Sequence, residues 1–112
     1  MDIDKETSRK IQELQVFEHN LQAYLMQKQA VQIELNEITT ALDELKKSSD
    51  EVYKIVGNIM MKSDKESLSG ELKEKKKVLD IRLSSIEKQE KLISSKSENL
   101  RDEIGKSLGK KQ

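Results

Sequence analysis

The chain has 112 residues, of which 34% are hydrophobic and 38% charged, with 21 basic and 21 acidic side chains, no cysteine and no proline. That is too little apolar material for a thick globular core, yet the charges balance, unlike those of a self-repelling disordered chain; a single domain, 1–112, of thin helices that each bury one stripe fits both facts. Disulfides and thiolate metal sites are excluded, and zero net charge argues against nucleic acid as a ligand, the basic tail 106–111 being too short to alter this.

The start, Met1-Asp2-Ile3-Asp4-Lys5, is acidic and polar rather than a secretion signal, and no run approaches the roughly 20 apolar residues of a membrane span. A cytoplasmic protein without membrane contact is expected. A first helix is expected at about 5–47. Within it, Leu14, Phe17, Leu21, Tyr24, Lys28, Val31, Leu35, Ile38, Leu42 and Leu45 recur at alternating spacings of three and four, and nine of the ten are apolar. A period of 3.5 keeps such a stripe against a partner helix over many turns. Lys28 interrupts it; its charged end is expected to lean out to solvent, the alternative being that it specifies register at some cost in stability.

Residues 51–62 follow, Glu-Val-Tyr-Lys-Ile-Val-Gly-Asn-Ile-Met-Met-Lys, rich in strand formers on either side of a Gly-Asn turn. They predict a β-hairpin in which Val56 pairs with Ile59 and Ile55 with Met60. Alternation sets Val56, Ile59 and Met61 on one face and Tyr53, Ile55 and Met60 on the other. A lone hairpin apolar on both faces is unstable in water and offers open edges, so several copies should assemble into a shared sheet or barrel.

A second helix is expected at about 64–108, opened by a capping box of Ser63 and Glu66. Its strong row is Leu72, Leu79, Ile86, Ile93 and Leu100; the companion row, Lys76, Leu83, Glu90, Ser97 and Ile104, is apolar at two of five. Antiparallel pairing brings Leu42 to Leu72, Leu35 to Leu79, Lys28 to Ile86, Leu21 to Ile93 and Leu14 to Leu100. The other layer is mixed, with Val31 against Leu83 but Phe17 against Ser97 and Tyr24 against Glu90. The fold class is therefore mainly α, an antiparallel two-helix coiled coil with one β-hairpin between the helices.

Catalytic chemistry is missing. His19, the one histidine, lies on the outer side of the first helix with no nucleophile in sight. Gly105-Lys106-Ser107 lacks the earlier glycine of a phosphate-binding loop, where Leu100 stands, and lacks the preceding strand. Acidic residues intermix with Lys at helical spacing, as in Glu71-Leu72-Lys73-Glu74-Lys75, which describes a solvated face. No enzyme, cofactor or metal is expected.

Asn20-Leu21-Gln22, Gln27-Lys28-Gln29, Ala41-Leu42-Asp43-Glu44-Leu45, Val52-Tyr53-Lys54-Ile55-Val56-Gly57 and Leu72-Lys73-Glu74-Lys75-Lys76 resemble the β-type subunit of prefoldin in its archaeal form. The hairpin words in their place between the helices are the specific part, and Met60-Met61 stands where aliphatic residues would be usual. The resemblance implies a hexamer of two α-type and four β-type subunits, with a β-barrel platform built from hairpins through Val52, Tyr53, Ile55, Val56, Ile59, Met60 and Met61. It further implies that coiled-coil tips hold unfolded polypeptide without ATP and pass it to a group II chaperonin. Both termini should meet at the tip, where Ile3, Ile11, Leu14 and Phe17 approach Leu100, Ile104 and Leu108. Gly105 and Gly109 would weaken the helix there, leaving a frayed apolar surface. The rival expectation is a coiled-coil scaffold or tether without chaperone activity.

Overall fold

The structure, a computed structural model, describes residues 4–109. Helix α1, Lys5–Lys47, leads into strand β1, Glu51–Val56, then β2, Ile59–Asp64, and helix α2, Lys65–Gly109. Two long helices with one antiparallel hairpin between them are thus present. The described residues fall into two compact units: one combines the chain up to Gln29 with that from Ser85, and the other is Ala30–Ser84.

In the unit Ala30–Ser84 the core consists of Val31, Ile38 and Leu45 from α1 and Leu79 from α2. The first three belong to the row expected to meet the poorer partners, and they are more buried than Leu35 and Leu42 of the better row. The root of the hairpin is tied by polar contacts. The Lys65 backbone N–H donates to the Asp50 carbonyl at 3.1 Å, and the Lys65 ammonium donates to the carbonyls of Lys46 and Ser48 at 3.3 and 3.2 Å. Carbonyls at a helix C-terminus lack intrahelical donors and carry partial negative charge, so a cation is well placed there.

The start of α2 differs from expectation. Strand β2 continues through Ser63 and Asp64, which pair with Val52 and Glu51, so Ser63 belongs to the ladder and cannot cap. Asp64 caps instead: its carboxylate accepts from the Ser67 backbone N–H at 2.7 Å and the Ser67 hydroxyl at 3.0 Å. The Ser67 backbone N–H, helped by its hydroxyl, holds the Asp64 carboxyl below its ordinary value of 3.8. The cap therefore persists at neutral pH and is lost only as pH falls through that lowered value. Asp4 plays the same part for α1, accepting from the Thr7 N–H at 2.7 Å.

In the other unit Ile86, Leu100 and Ile104 are buried, together with two polar residues, Thr7 and Ser97. Ser97 is 1% exposed, and its hydroxyl has no partner among the described residues. Three cross-helix ion pairs fix the antiparallel arrangement: Lys10–Glu103 at 3.5 Å, Glu18–Arg101 at 2.9 Å and Lys28–Glu90 at 2.8 Å. The third corrects the reading of Lys28. Its ammonium does not lean into solvent but reaches one turn along α2 to Glu90, and both side chains are about three-quarters buried. Lys28 of one seam row thus neutralises Glu90 of the other, whereas Tyr24 was expected to face Glu90.

This packing can be tested at two points. Leu42, Leu45, Ser69 and Gly70 line an open cavity of about 520 Å³. Ser69→Leu should fill part of it and stabilise the isolated chain by about 1–2 kcal/mol in urea denaturation; an unchanged midpoint would mean that the space does not accept the side chain. Lys28→Leu alone should cost about 1–3 kcal/mol by stranding the Glu90 charge. The double replacement with Glu90→Leu should recover that loss or exceed the parent, as a double-mutant cycle on thermal midpoints would reveal.

Candidate functional site

The hairpin turns at Gly57-Asn58. Gly57 has φ +63° and no described non-glycine residue has positive φ, the pattern of a type II′ turn, which needs glycine at its first central position. The register is Val56 with Ile59, Ile55 with Met60, Lys54 with Met61 and Tyr53 with Lys62. Side chains alternate across a strand, so one face carries Val52, Lys54, Val56, Ile59 and Met61 and the other Tyr53, Ile55 and Met60.

The two faces are not equivalent. Val52, Lys54 and Ser63 are half-buried, and Lys54 pairs with Glu71 of α2 at 3.2 Å, which partly shelters the root of the first face. Among the described residues nothing shelters the second, where Glu51 and Lys62 form an ion pair beside the apolar residues. Six residues, Tyr53, Ile55, Val56, Ile59, Met60 and Met61, remain between 47% and 71% exposed. Of the seven assembly residues expected from sequence, only Val52 has cover from other described residues. Charged side chains are the usual defence of an open sheet edge, and here they stand at the root rather than beside the turn. The chemistry on offer is strand pairing and apolar burial.

The expected tip residues are distributed differently. Ile3 lies outside the described residues. Ile11, Leu14, Phe17 and Leu108 are half-buried, while Leu100 and Ile104 are closed into the seam. Helix α2 runs unbroken through Gly105 to Gly109. Both glycines have open space about the missing Cβ, and a regular helix accommodates them at only a propensity cost. A shallow groove of about 290 Å³ runs beside Phe17 and Leu100, lined also by Glu13, Lys96, Asn99 and Glu103. His19 is exposed on α1. Among the described residues no three metal-ligating side chains cluster, and no helix is long and apolar enough to cross a membrane.

Sequence reasoning missed several outward apolar residues, among them Val16, Leu25 and Met26 on α1 and Leu92 on α2, all exposed. They fall off the seam spacing and blend into the polar background. Val16 and Met26 stand ten residues apart, close to three helical turns, and that spacing is the signal that sets them on one side of the helix.

The sequence profile of a family described as "Prefoldin subunit" matches residues 8–111. The prefoldin subunit beta of Methanothrix thermoacetophila is 37% identical over 110 residues, covering 96% of this chain and 92% of its own. That of Thermococcus kodakarensis is 40% identical over 98 residues, with 86% and 84% covered. The crystal structure of the prefoldin beta subunit from Thermococcus strain KS-1 superposes with a TM-score of 0.88 at 37% identity and 96% coverage of both chains.

Placing a charge at the exposed end of the hairpin tests the surface directly. Val56→Asp or Ile59→Asp should abolish assembly, read as a fall in native mass, while the far-ultraviolet helix signal stays largely in place. Equal loss of helix would mean that the coiled coil depends on the hairpin being covered.

Proposed function

The chain belongs to the prefoldin subunit family, and from that premise we propose that it is the β-type subunit of an ATP-independent chaperone of the cytoplasm. Its partners are α-type subunits, two to every four of the β type, and together their hairpins close a β-barrel. The hexamer holds unfolded polypeptides at the ends of its coiled coils and passes them to a group II chaperonin.

One observation carries this reading: a two-stranded sheet whose apolar residues stand in water on both faces. Burial of such a sheet requires other subunits, and the requirement is met when several hairpins pair edge to edge. A tether with one fixed partner would have no need of a sheet built in this way. The residues proposed to meet clients are Ile3, Ile11, Leu14, Phe17, Leu100, Ile104 and Leu108. Ile104 can do so only when the seam about it opens, whereas Phe17 and Leu100 already border the shallow groove. The unpaired Ser97 hydroxyl lowers the cost of such opening, because water can then satisfy it. Each contact is weak, and several copies acting together multiply the affinity by a factor on the order of 10²–10⁴. Release then needs no nucleotide.

The assembled complex, mixed with a denatured client in equal amounts and without ATP, should suppress light scattering from aggregation. Removing residues 1–10 and 104–112 should weaken that suppression several-fold and leave native mass unchanged. If the intact complex left aggregation unaltered, the chaperone reading would fail; if truncation dispersed the complex, assembly would reside at the chain ends.

A further inference from the structure

Helix α1 has a second surface, away from the seam, that neither assembly nor the tip accounts for. From His19 to Gln29 the chain reads His-Asn-Leu-Gln-Ala-Tyr-Leu-Met-Gln-Lys-Gln, with Lys28 as its single formal charge. A chain that is 38% charged would place about four charges in eleven residues. Lys28 is itself turned to Glu90 at 2.8 Å, so about three helical turns show water no unpaired charge. Their exposed side chains are His19 and the amides Gln22, Gln27 and Gln29 with Leu25 and Met26, the last 70% exposed. Gln22, Leu25, Met26 and Gln29 stand at spacings of three and four and share one face, bounded on its N-terminal side by the exposed Glu18–Arg101 ion pair.

We propose that this neutral, amide-rich face of α1 between His19 and Gln29 is a contact surface for an extended segment of non-native polypeptide. The proposal rests on the chaperone reading and extends its client site from the chain ends to the side of the helix.

Charge and hydrogen-bonding chemistry choose the occupant. A surface without net charge or exposed ions neither selects nor repels clients by their sign. An extended chain presents unpaired backbone N–H and C=O groups, and each glutamine amide both donates and accepts. Apolar client side chains find Leu25 and Met26, and an unbranched thioether adapts to different shapes. The residues of α2 in the same unit offer nothing comparable, since Glu87, Lys88 and Lys91 are exposed and charged. A second copy pairing through this face is the competing occupant. Two large apolar side chains from each copy fall short of the roughly 1,200 Å² that a specific stable interface buries. Weak contact repeated over several subunits suits a client instead.

The test uses the hexamer assembled with its α-type partner, and fluorophore-labelled lysozyme, reduced and carboxymethylated so that it cannot refold. Leu25→Lys with Met26→Glu keeps good helix formers and adds no net charge. Its dissociation constant for the labelled chain should rise at least fivefold, with native mass and helix signal unchanged, while Leu25→Ile with Met26→Leu should bind like the parent. A photo-cross-linking group at position 26 should capture the labelled chain in the otherwise unaltered complex. Unchanged affinity in the charged variant, with the parent still binding, would overturn the proposal and leave the chaperone reading intact. A fall in native mass, or cross-linking to another subunit, would make the face a subunit contact and overturn it likewise. Failure of the parent to bind labelled lysozyme would remove the chaperone reading and this surface with it.

Discussion

Six residues on either side of a two-residue turn create a sheet with two faces and two edges, and the described residues cover only part of one face. Glu71 meets Lys54 near the root, but the side chains from Ile55 to Met60 stand open to water. Apolar surface left in water costs about 25 cal/mol per Å², so the hairpin's conformation and the drive to assemble are one requirement. The remaining architecture follows from meeting it. The helices must emerge from one root, which Lys65 secures by bonding Asp50, Lys46 and Ser48.

The seam between the helices shows how a chain with so few apolar residues remains paired. Val31, Ile38, Leu45 and Leu79 close one unit by ordinary apolar burial. In the other, Thr7 and Ser97 are buried among Ile86, Leu100 and Ile104, and Lys28 and Glu90 share the interior as an ion pair. Such inclusions sacrifice stability but specify alignment, because displacement by one turn would separate the charges. The exposed pair Glu18–Arg101 adds little energy and the same directional information.

Much of this was legible from spacing alone. Alternating threes and fours over residues 14–45 define a helix, and Gly57-Asn58 between strand formers defines a hairpin whose register is forced by a two-residue turn. Where strand yields to helix was less legible. Ser63 and Glu66 have capping spacing, but ladder pairing with Val52 claims Ser63 and hands the role to Asp64. Periodicity carries no information about that competition. The fate of Lys28 was equally hidden, since it depends on how far a flexible side chain reaches along its neighbour. At the tip Leu100 and Ile104 close into the seam, and α2 keeps its helical form through Gly105 and Gly109. Tertiary burial outweighed helix propensity there.

The junction between Asp50 and Lys65 has a kinetic meaning. Only fourteen residues separate the two, whereas ninety-two lie between Lys10 and Glu103. Closing a short loop costs less entropy than closing a long one, and hairpins of this size form within microseconds. Folding is therefore favoured to begin at the middle of the polypeptide and zip outward, each helical turn laid against its neighbour shortening the next search. The segments about Lys10 and Glu103 are the last to meet, and in synthesis on a ribosome the first helix must wait, half-covered, until the sequence beyond residue 65 has emerged.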